Sequence, residues 1–309
     1  MSLNDRKNAD EYGGCGLADL PGWLRRLYPF EPRAFACGPA RMSYVDEGPR
    51  TDEAVLLLHG NPTWSFYYRD LIRELTAAGR RCVAPDHVGM GLSDKPQRYP
   101  YCLRTHVGNL AGLVDNLGLR RVHLVVHDWG GAIGFAWAAQ HPEKVGRIVI
   151  LNTAAFPAPR VPLSINLCRI PLLGEAVIRG LNSFVRSATT MTMHRRSLGA
   201  DEKRGYLFPY DSWANRIGVA RFVADIPMRR NHPSRAPLEA AERGLECFQD
   251  RPILIAWGGM DFCFTKWFFN RWREIYPQAA AHYLADAGHY ILEDAGDELR
   301  PVIKAFLRG

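Results

Sequence analysis

Hydrophobic residues in this chain form short unbroken runs that alternate with stretches of helical periodicity. The five most apolar runs are AVLLLHG (54–60), RCVAPDH (81–87), VHLVVHD (122–128), RIVILNT (147–153) and PILIAWGG (252–259). Apolar side chains at successive positions, not alternate ones, predict strands that are buried on both faces. We therefore expect these runs to form the centre of a mostly parallel sheet.

The segments around these runs have apolar residues spaced every three or four positions, which predicts helices. The predicted helices cover residues 65–78, 103–117, 130–140, 238–248, 265–275 and 293–307. Strands that alternate with helices indicate an α/β fold with right-handed crossovers and helices on both sides of the sheet.

The segment 156–236 interrupts this alternation, because it has no clear buried strand. It contains the apolar helical stretches LLGEAVIRGLNSF (172–184) and WANRIGVARFVADI (213–226). A structureless loop of that length is implausible in a compact domain. We expect a helical cap, inserted into a core formed by residues 1–155 and 237–309. The apolar residues of the cap either line a cavity or only pack the cap onto the core.

The charge of the chain adds little to this prediction. The formal net charge is +7 and the pI is about 9.1. Lysines and arginines are scattered, with only short clusters such as Arg195-Arg196 and Arg229-Arg230. This distribution is typical of a basic surface without a nucleic-acid site, so we expect no nucleic-acid partner. A weak attraction to anionic membrane surfaces stays open.

The cysteines and the N-terminal residues favour a cytoplasmic protein. The seven cysteines are far apart and include no Cys-x-x-Cys pair, which indicates reduced thiols and no zinc site. The first residues, MSLNDRKNADEYGG, lack the apolar core of a signal peptide. No apolar stretch is long enough for a transmembrane segment. We expect neither a metal ion nor a cofactor.

The stretch VHLVVHDWGG places a carboxylate where a predicted strand ends. Asp128 ends the apolar run, and Trp129-Gly130-Gly131 begins the next helix. Open α/β sheets bind their ligands at the carboxyl ends of strands. A strand, a sharp turn and a helix are the setting of the nucleophile elbow G-x-S-x-G, in which Asp128 takes the serine position and Val126 replaces the first glycine. The alternative is that Asp128 only caps the helix.

Two residues further along the chain complete the order nucleophile, acid, histidine that is typical of α/β-hydrolases. Asp261 comes just after the strand in PILIAWGGMD. His289 lies in the loop of ADAGHYILED, after a strand and before the last predicted helix. Each residue alone has an ordinary structural explanation, but the three together predict a catalytic triad of Asp128, His289 and Asp261.

The stretch LLLHGNPTW supplies donors for the same site. Asn61 follows a strand end and carries both a backbone N–H and a side-chain amide. A carboxylate with an ordinary pKa of about 4 is ionised at neutral pH and can attack an sp³ carbon directly, which forms an ester. His289 would activate water against that ester. The backbone N–H groups of Asn61 and Trp129 would form the oxyanion hole, and their side chains would bind a departing halide or another compact anion.

With these motifs the chain resembles the haloalkane dehalogenases over nearly its whole length. The stretches HGNPTWSFYYRDL, PDHVGMGLSDKP and VVHDWGG stand here much as in that family. The resemblance implies an α/β-hydrolase fold with Asp128 as nucleophile, His289 as base, Asp261 as acid, and Asn61 and Trp129 as the halide-binding pair. One subfamily has its acid after the strand that follows the nucleophile, but here that strand ends ILNTAAF without a carboxylate.

The cap stretch HRRSLG…KRGYLFPYDSWANR is similar to the third dehalogenase subfamily and equally to the β-lactone decarboxylases of bacterial long-chain olefin synthesis. The resemblance to the latter implies a lipid-like cis-β-lactone substrate, an alkene product and partner enzymes of that pathway. We favour the lactone as the substrate, with dehalogenation as shared chemistry.

Three alternatives stay open at this point. The first is a dedicated haloalkane dehalogenase. The second is an epoxide hydrolase, for which Tyr206 and Tyr210 of the cap would protonate the ring oxygen, although packing is the simpler role for both. The third is a binding protein without catalysis on the same fold.

Overall fold

The computed structural model describes residues 16–308, so Cys15 and the polar residues 1–14 lie outside the described part of the chain. Its centre is one eight-stranded sheet with the strand order β1-β2-β4-β3-β5-β6-β7-β8. The strands are β1 Arg33–Cys37, β2 Ala40–Glu47, β3 Glu53–Leu58, β4 Cys82–Pro85, β5 Arg121–Asp128, β6 Val145–Thr153, β7 Ile253–Gly258 and β8 Ala280–Leu284.

The sheet is parallel from β4 to β8, and only β1 and β2 run antiparallel to their neighbours. The five predicted strands are β3 to β7, and β8 is the strand expected before His289. β1 and β2 were not predicted. β1 is an edge strand with mostly exposed residues, and β2 carries Arg41, Ser43 and Asp46 among its apolar residues, so neither forms an unbroken apolar run.

Thirteen α-helical segments surround the sheet within residues 16–308. They are α1 Gly22–Leu27, α2 Arg69–Ala77, α3 Leu103–Asn116, α4 Trp129–Ala138, α5 Leu163–Cys168, α6 Leu173–Glu175, α7 Ser183–Met191, α8 Ala200–Leu207, α9 Ile217–Ala224, α10 Arg235–Gly244, α11 Lys266–Ile275, α12 Ile291–Asp294 and α13 Gly296–Arg308. The helix predicted at 293–307 is therefore divided in two, because the backbone at Ala295 leaves the helical region. No described helix is both long and apolar enough to cross a membrane.

Each face of the sheet has its own hydrophobic core. On β3, Leu56 and Leu58 pack into one core, and Val55 and Leu57 pack into the other. Helices α3, α4, α10 and α11 cover the first face, and α1, α2 and α13 cover the second. Because every fully buried large apolar side chain contributes about 1.5–3 kcal/mol, burial on both faces explains why the central strands have no polar side.

Helices α5 to α9 lie between β6 and β7 in the chain and close over the carboxyl ends of the strands. α10 instead packs on α4 of the core. It begins at Arg235, so the predicted cap boundary at residue 236 falls within its first turn. The backbone N–H of Leu103 donates to Asp225 at the end of α9 (2.9 Å), and the Trp64 indole donates to the carbonyl of Gly205 in α8 (3.1 Å). These bonds hold the cap segment on the core.

The start of α4 packs unusually close to β3. A Cβ atom at Gly130 would lie 2.0 Å from the carbonyl oxygen of Leu58. Only a glycine fits there, because the contact is with backbone, which cannot turn away as a side chain can.

We expect the substitution Gly130→Ala to destabilise the protein by about 3 kcal/mol, through overpacking between α4 and β3. The matched control is Gly108→Ala in α3, where an added Cβ meets nothing within 4 Å. That change should raise stability by about 0.5–1 kcal/mol through helix propensity. Urea unfolding of both variants measures the two effects, and equal effects would contradict the close approach.

Candidate active site

Asp128 lies at the sharp turn between β5 and α4. Its backbone has φ +50° and ψ −125°, a conformation that non-glycine residues rarely adopt. The Thr153 hydroxyl at the end of β6 donates a hydrogen bond to the Asp128 carbonyl and supports this conformation. The side chain of Asp128 is 13% exposed and lines a cavity under the cap. Strained backbone of this kind is typical of functional positions.

Two backbone N–H groups point at the Asp128 carboxylate. The N–H of Asn61 donates to Oδ1 at 2.6 Å, and the N–H of Trp129 donates to the same carboxylate. The loop after β3 can come this close because Gly60 has no side chain; a Cβ atom there would lie 2.0 Å from Oδ1. The Asn61 N–H therefore holds Oδ1, while Oδ2 lies on the side of His289.

His289 faces the other carboxylate oxygen. Its Nε2 lies 3.9 Å from Asp128 Oδ2, and its Nδ1 lies 2.6 Å from Oδ2 of Asp261. With the proton on Nδ1 donated to Asp261, Nε2 carries the lone pair that faces Asp128. The structure thus brings the three predicted triad residues together, with the His289 ring between the two carboxylates.

Asp261 is buried and held by three donors. The backbone N–H groups of Cys263 and Phe264 donate to its Oδ1 at 2.7 and 3.0 Å. The side-chain amide of Asn152 donates to its Oδ2 at 2.9 Å and also bridges to Gly258 at the end of β7. Asn152 lies one residue before the end of β6, in the stretch ILNTAAF that contains no carboxylate. Its amide therefore supports an acid that comes from the next strand.

The ring of His289 is held between two other rings. His127 lies on one side at a centroid distance of 4.5 Å, and Phe264 is stacked on it at 5.7 Å. The Nε2 of His127 also lies 2.9 Å from the carbonyl oxygen of His289, and burial holds the pKa of His127 well below its ordinary value. A neutral His127 thus donates to the loop that carries His289.

Asp294 connects the His289 loop to the cap segment. Its carboxylate accepts the backbone N–H of Gly288 at 2.7 Å and that of His194 at 2.9 Å. It also accepts the N–H groups of Arg195 and Arg196. A single carboxylate on α12 therefore positions both the loop before His289 and the cap residues 194–196.

The cavity beside Asp128 has a volume of about 250 Å³. This is slightly below the roughly 300–1,000 Å³ that is typical of small-molecule pockets. Its wall is mainly apolar and includes Val161, Phe184, Val223, Leu238, Phe264 and Phe268. The predicted role of cap residues in lining a cavity therefore agrees with the structure for the first three of these, whereas Tyr206 and Tyr210 are fully buried and do not line it.

The side chains of Asn61 and Trp129 also line the cavity. One amide N–H of Asn61 donates to the carbonyl of Val219 in α9 at 3.1 Å, which leaves the second for a ligand. The Trp129 ring packs edge-on against Phe222 of α9 at 5.5 Å. In the described part of the chain no protein group accepts a hydrogen bond from its indole N–H. The site can thus offer two neutral donors to an anion.

Burial changes the pKa of the Asp128 carboxylate. It raises the pKa of Asp128 above its ordinary value, while His289 and the two backbone N–H groups act in the opposite direction. Burial therefore shifts this carboxylate away from the ordinary pKa expected from the sequence. The donors favour the ionised form of Asp128 in the apolar cavity.

The pKa of His289 is also raised, but by neighbouring charges and not by burial. Burial alone would lower the pKa of His289, but the charges of Asp261 and Asp128 outweigh it and raise the pKa above its ordinary value. Esterification of Asp128 would remove one of those two charges. The pKa of His289 would then fall, so the imidazole becomes neutral at the stage where a base is needed.

Sequence reasoning missed three residues that position this site: Asn152, His127 and Asp294. His127 stands inside the motif VVHDWGG, and Asn152 stands where the acid of another subfamily would be, so both positions had been singled out for other reasons. Asp294 ends the stretch ADAGHYILED but had no signal of its own, since three of its four partners are backbone groups of the distant segment 194–196. No group of three metal-ligating side chains lies together among residues 16–308.

Comparison with known proteins agrees with this geometry. A family model described as the alpha/beta hydrolase fold matches residues 53–296, and the chain belongs to that family. The solved structure of haloalkane dehalogenase DbeA from Bradyrhizobium elkani superimposes with a TM-score of 0.81 at 26% identity, covering 90% of this chain and 97% of that one. The fold and family expected from the sequence are thus confirmed.

Relatives identify the branch within the family. A cis-3-alkyl-4-alkyloxetan-2-one decarboxylase from Xanthomonas campestris is 44% identical over 91% of this chain and 97% of its own length. The enzyme of that name from Shewanella oneidensis is 42% identical, covering 92% of this chain and 90% of its own. Haloalkane dehalogenase 2 of Mycobacterium bovis is 36% identical over 90% of this chain and 95% of its own. The chain is an enzyme of the branch that contains both activities.

We expect Asp261→Asn to lower the pKa of His289 and to slow hydrolysis of an Asp128 ester by about 10³-fold or more, because the base loses its charge partner. In the unchanged protein, that hydrolysis should increase as the pH rises through the pKa of His289 in the esterified enzyme, which lies below the pKa in the free enzyme because the charge of Asp128 is gone. NMR titration of the His289 ring measures the pKa. Asn152→Ala, which keeps the carboxylate, serves as control and should shift the titration less. An unchanged midpoint in Asp261→Asn would contradict the assigned contact.

Proposed function

We propose that this chain decarboxylates a cis-β-lactone with two alkyl substituents and releases an alkene. The observation that carries the proposal is the identity of 42% and 44% to two cis-3-alkyl-4-alkyloxetan-2-one decarboxylases, against 36% to a haloalkane dehalogenase of similar coverage. The proposed catalytic group is Asp128, with His289 and Asp261 as its triad partners and Asn61 and Trp129 as donors.

The first step is attack of Asp128 Oδ2 on the ring carbon that bears the lactone oxygen. The new bond joins Oδ2 to this carbon, and the bond from the carbon to the ring oxygen breaks. The electron pair of that bond stays on the ring oxygen, which becomes part of a free carboxylate. Ring strain supplies the driving force, and Asn61 and Trp129 can donate hydrogen bonds to the developing anion.

The second step returns the carboxylate of Asp128. The bond between the carboxylate carbon and its neighbouring carbon breaks, and its electron pair forms the alkene. The bond from the substrate to Oδ2 breaks at the same time, so carbon dioxide and the alkene leave together. No water is consumed. The apolar wall of the cavity favours this step, because it solvates a carboxylate poorly and carbon dioxide well.

Haloalkane dehalogenation is the second candidate activity. It is supported by the indole N–H of Trp129 and the second amide hydrogen of Asn61, which can both donate to a halide. Here the ester on Asp128 must be hydrolysed. His289 Nε2 takes a proton from water, the hydroxide attacks Cγ of Asp128, and an alcohol leaves. The N–H groups of Asn61 and Trp129 then hold the charge on Oδ1.

The geometry gives no support to epoxide hydrolysis. The hydroxyl of Tyr206 donates to Glu293 at 2.5 Å, and the hydroxyl of Tyr210 lies 3.4 Å from the carbonyl oxygen of Thr63. Both tyrosines therefore act in packing, and neither can protonate a ring oxygen in the cavity. A binding protein without catalysis would not explain why the His289 ring is held between the carboxylates of Asp128 and Asp261.

We also propose that the chain works in the cytoplasm beside the enzymes that make its β-lactone. The six cysteines among residues 16–308 are free, as is typical of a reducing compartment. Burial raises the pKa of the Cys37 thiol to about 11, which keeps that group protonated and unreactive. The partner enzymes belong to the olefin pathway that the sequence resemblance implies.

We expect Asp128→Asn to reduce both alkene formation and halide release by at least about 10⁴-fold, because the amide is a far weaker nucleophile. Stability should not fall, since the substitution removes a buried charge without changing the shape of the side chain. Gas chromatography of the alkene and halide titration measure the two activities, and thermal melting checks the fold. Retention of either activity would contradict the covalent mechanism for that substrate.

We expect His289→Ala to separate the two activities. With a 1-bromoalkane, the variant should stop after one turnover and carry the alkyl group as an ester, seen as added mass on the intact protein. With a dialkyl β-lactone, it should continue to release alkene, because that route needs no water. Loss of both activities without any adduct would overturn the assignment of His289 as the base for water alone.

A further inference from the structure

The outer surface of the cap is unusually apolar. Ten large hydrophobic side chains are strongly exposed in the described part of the chain, and seven of them belong to one segment, residues 163–191. We call these seven the cap apolar face: Leu163, Leu167, Ile170, Leu172, Leu173, Leu181 and Met191. Single exposed apolar residues are normal, whereas a concentration of this kind marks an interaction surface.

One residue of the cap apolar face, Leu172, is exposed and also has a strained backbone conformation. Leu172 is 83% exposed and has φ +65° and ψ −53°, although a branched side chain is disfavoured in the left-handed region. Neither packing within the chain nor backbone preference explains this leucine. Strain of this kind persists where the position serves another purpose.

The charges around the cap apolar face have one sign. Residues 158–191 contain four arginines and a single acid, Glu175, which is paired with Arg179. Among the described residues, Arg160, Arg186 and the neighbouring Arg229 form no ion pair with a carboxylate. Leucines interleaved with unpaired arginines are the composition of a surface that binds anionic lipid, where apolar side chains enter the bilayer and cations meet the headgroups.

The mouth of the active-site cavity opens within the same segment. Four residues line the cavity and are also exposed to solvent: Arg160, Ser164, Ser187 and Met191. All four lie between residues 160 and 191, and Met191 is itself part of the cap apolar face. A ligand that enters at this mouth must therefore cross the apolar and basic surface.

We propose that the cap apolar face docks on the surface of an anionic lipid bilayer, so that a lipid-like substrate reaches Asp128 directly from the membrane. The proposal rests on the proposed function only for the nature of that substrate. A long-chain lactone partitions into bilayers, and a cavity of about 250 Å³ holds the reacting ring while longer chains extend through the mouth. Docking would spare these chains a passage through water.

The proposal is tested by flotation of the whole protein with lipid vesicles, without any substrate. We expect binding to vesicles of phosphatidylcholine mixed with phosphatidylglycerol, and binding about tenfold or more weaker to phosphatidylcholine alone or at high salt. The double variant Leu167→Glu/Leu172→Glu should bind at least about tenfold more weakly than the unchanged protein, because it replaces inserting leucines by anions. Arg186→Glu should weaken binding about fivefold or more.

Arg120→Glu is the matched control, because it makes the same charge change beside the opposite end of β5, where the side chain is 86% exposed. It should bind vesicles like the unchanged protein, and thermal melting should show all variants folded. Failure of the unchanged protein to float, or equal binding by the leucine variant, would overturn the proposal. So would dimers in light scattering that the leucine variant dissociates, since a second copy would then cover the face. Because no substrate is present, these outcomes are independent of the proposed decarboxylation.

Discussion

The whole site depends on how the Asp128 carboxylate is held. A strained turn carries it out of β5, the backbone N–H groups of Asn61 and Trp129 hold the carboxylate, and Oδ2 faces His289. Gly60 and Gly130 make this approach sterically possible. In the proposed reaction the same two donors would serve the ionised carboxylate and the carbonyl oxygen of its ester.

Burial sets the second constraint. A carboxylate in an apolar cavity loses solvation, and the pKa of Asp128 rises for that reason, while the charges of Asp128 and Asp261 raise the pKa of His289. The two groups are therefore coupled: neutralising one changes the other. This coupling suits a reaction in which the nucleophile is masked by an ester before the base acts. A route that loses carbon dioxide from the ester would need Asp128 as nucleophile but would not need His289 to activate water.

The central strands and the candidate triad could be predicted from the sequence. The features that were not predicted were missed for physical reasons. Central strands such as β5 are buried on both faces, so their apolar runs are unambiguous, whereas β1 and β2 mix polar and apolar residues. Motifs around Asp128 gave the candidate triad because each residue follows a strand end in a parallel sheet. Asn152 and Asp294 were not predicted, since both make contacts with distant segments that no local pattern records. The exposed leucines of the cap could not be predicted either, because leucines at helical spacing normally indicate a buried helix face.

The cap contacts the cavity, the His289 loop and the solvent. Its inner side lines an apolar cavity, Asp294 ties it to the loop of His289, and its outer side concentrates exposed leucines around the cavity mouth. The central claim is that Asp128 bonds to the substrate carbon. The most direct test is one turnover of a 1-bromoalkane in oxygen-18 water, followed by mass analysis of the peptide that contains Asp128. The covalent route predicts one oxygen-18 atom in that carboxylate and none in the alcohol; label in the alcohol alone would contradict it.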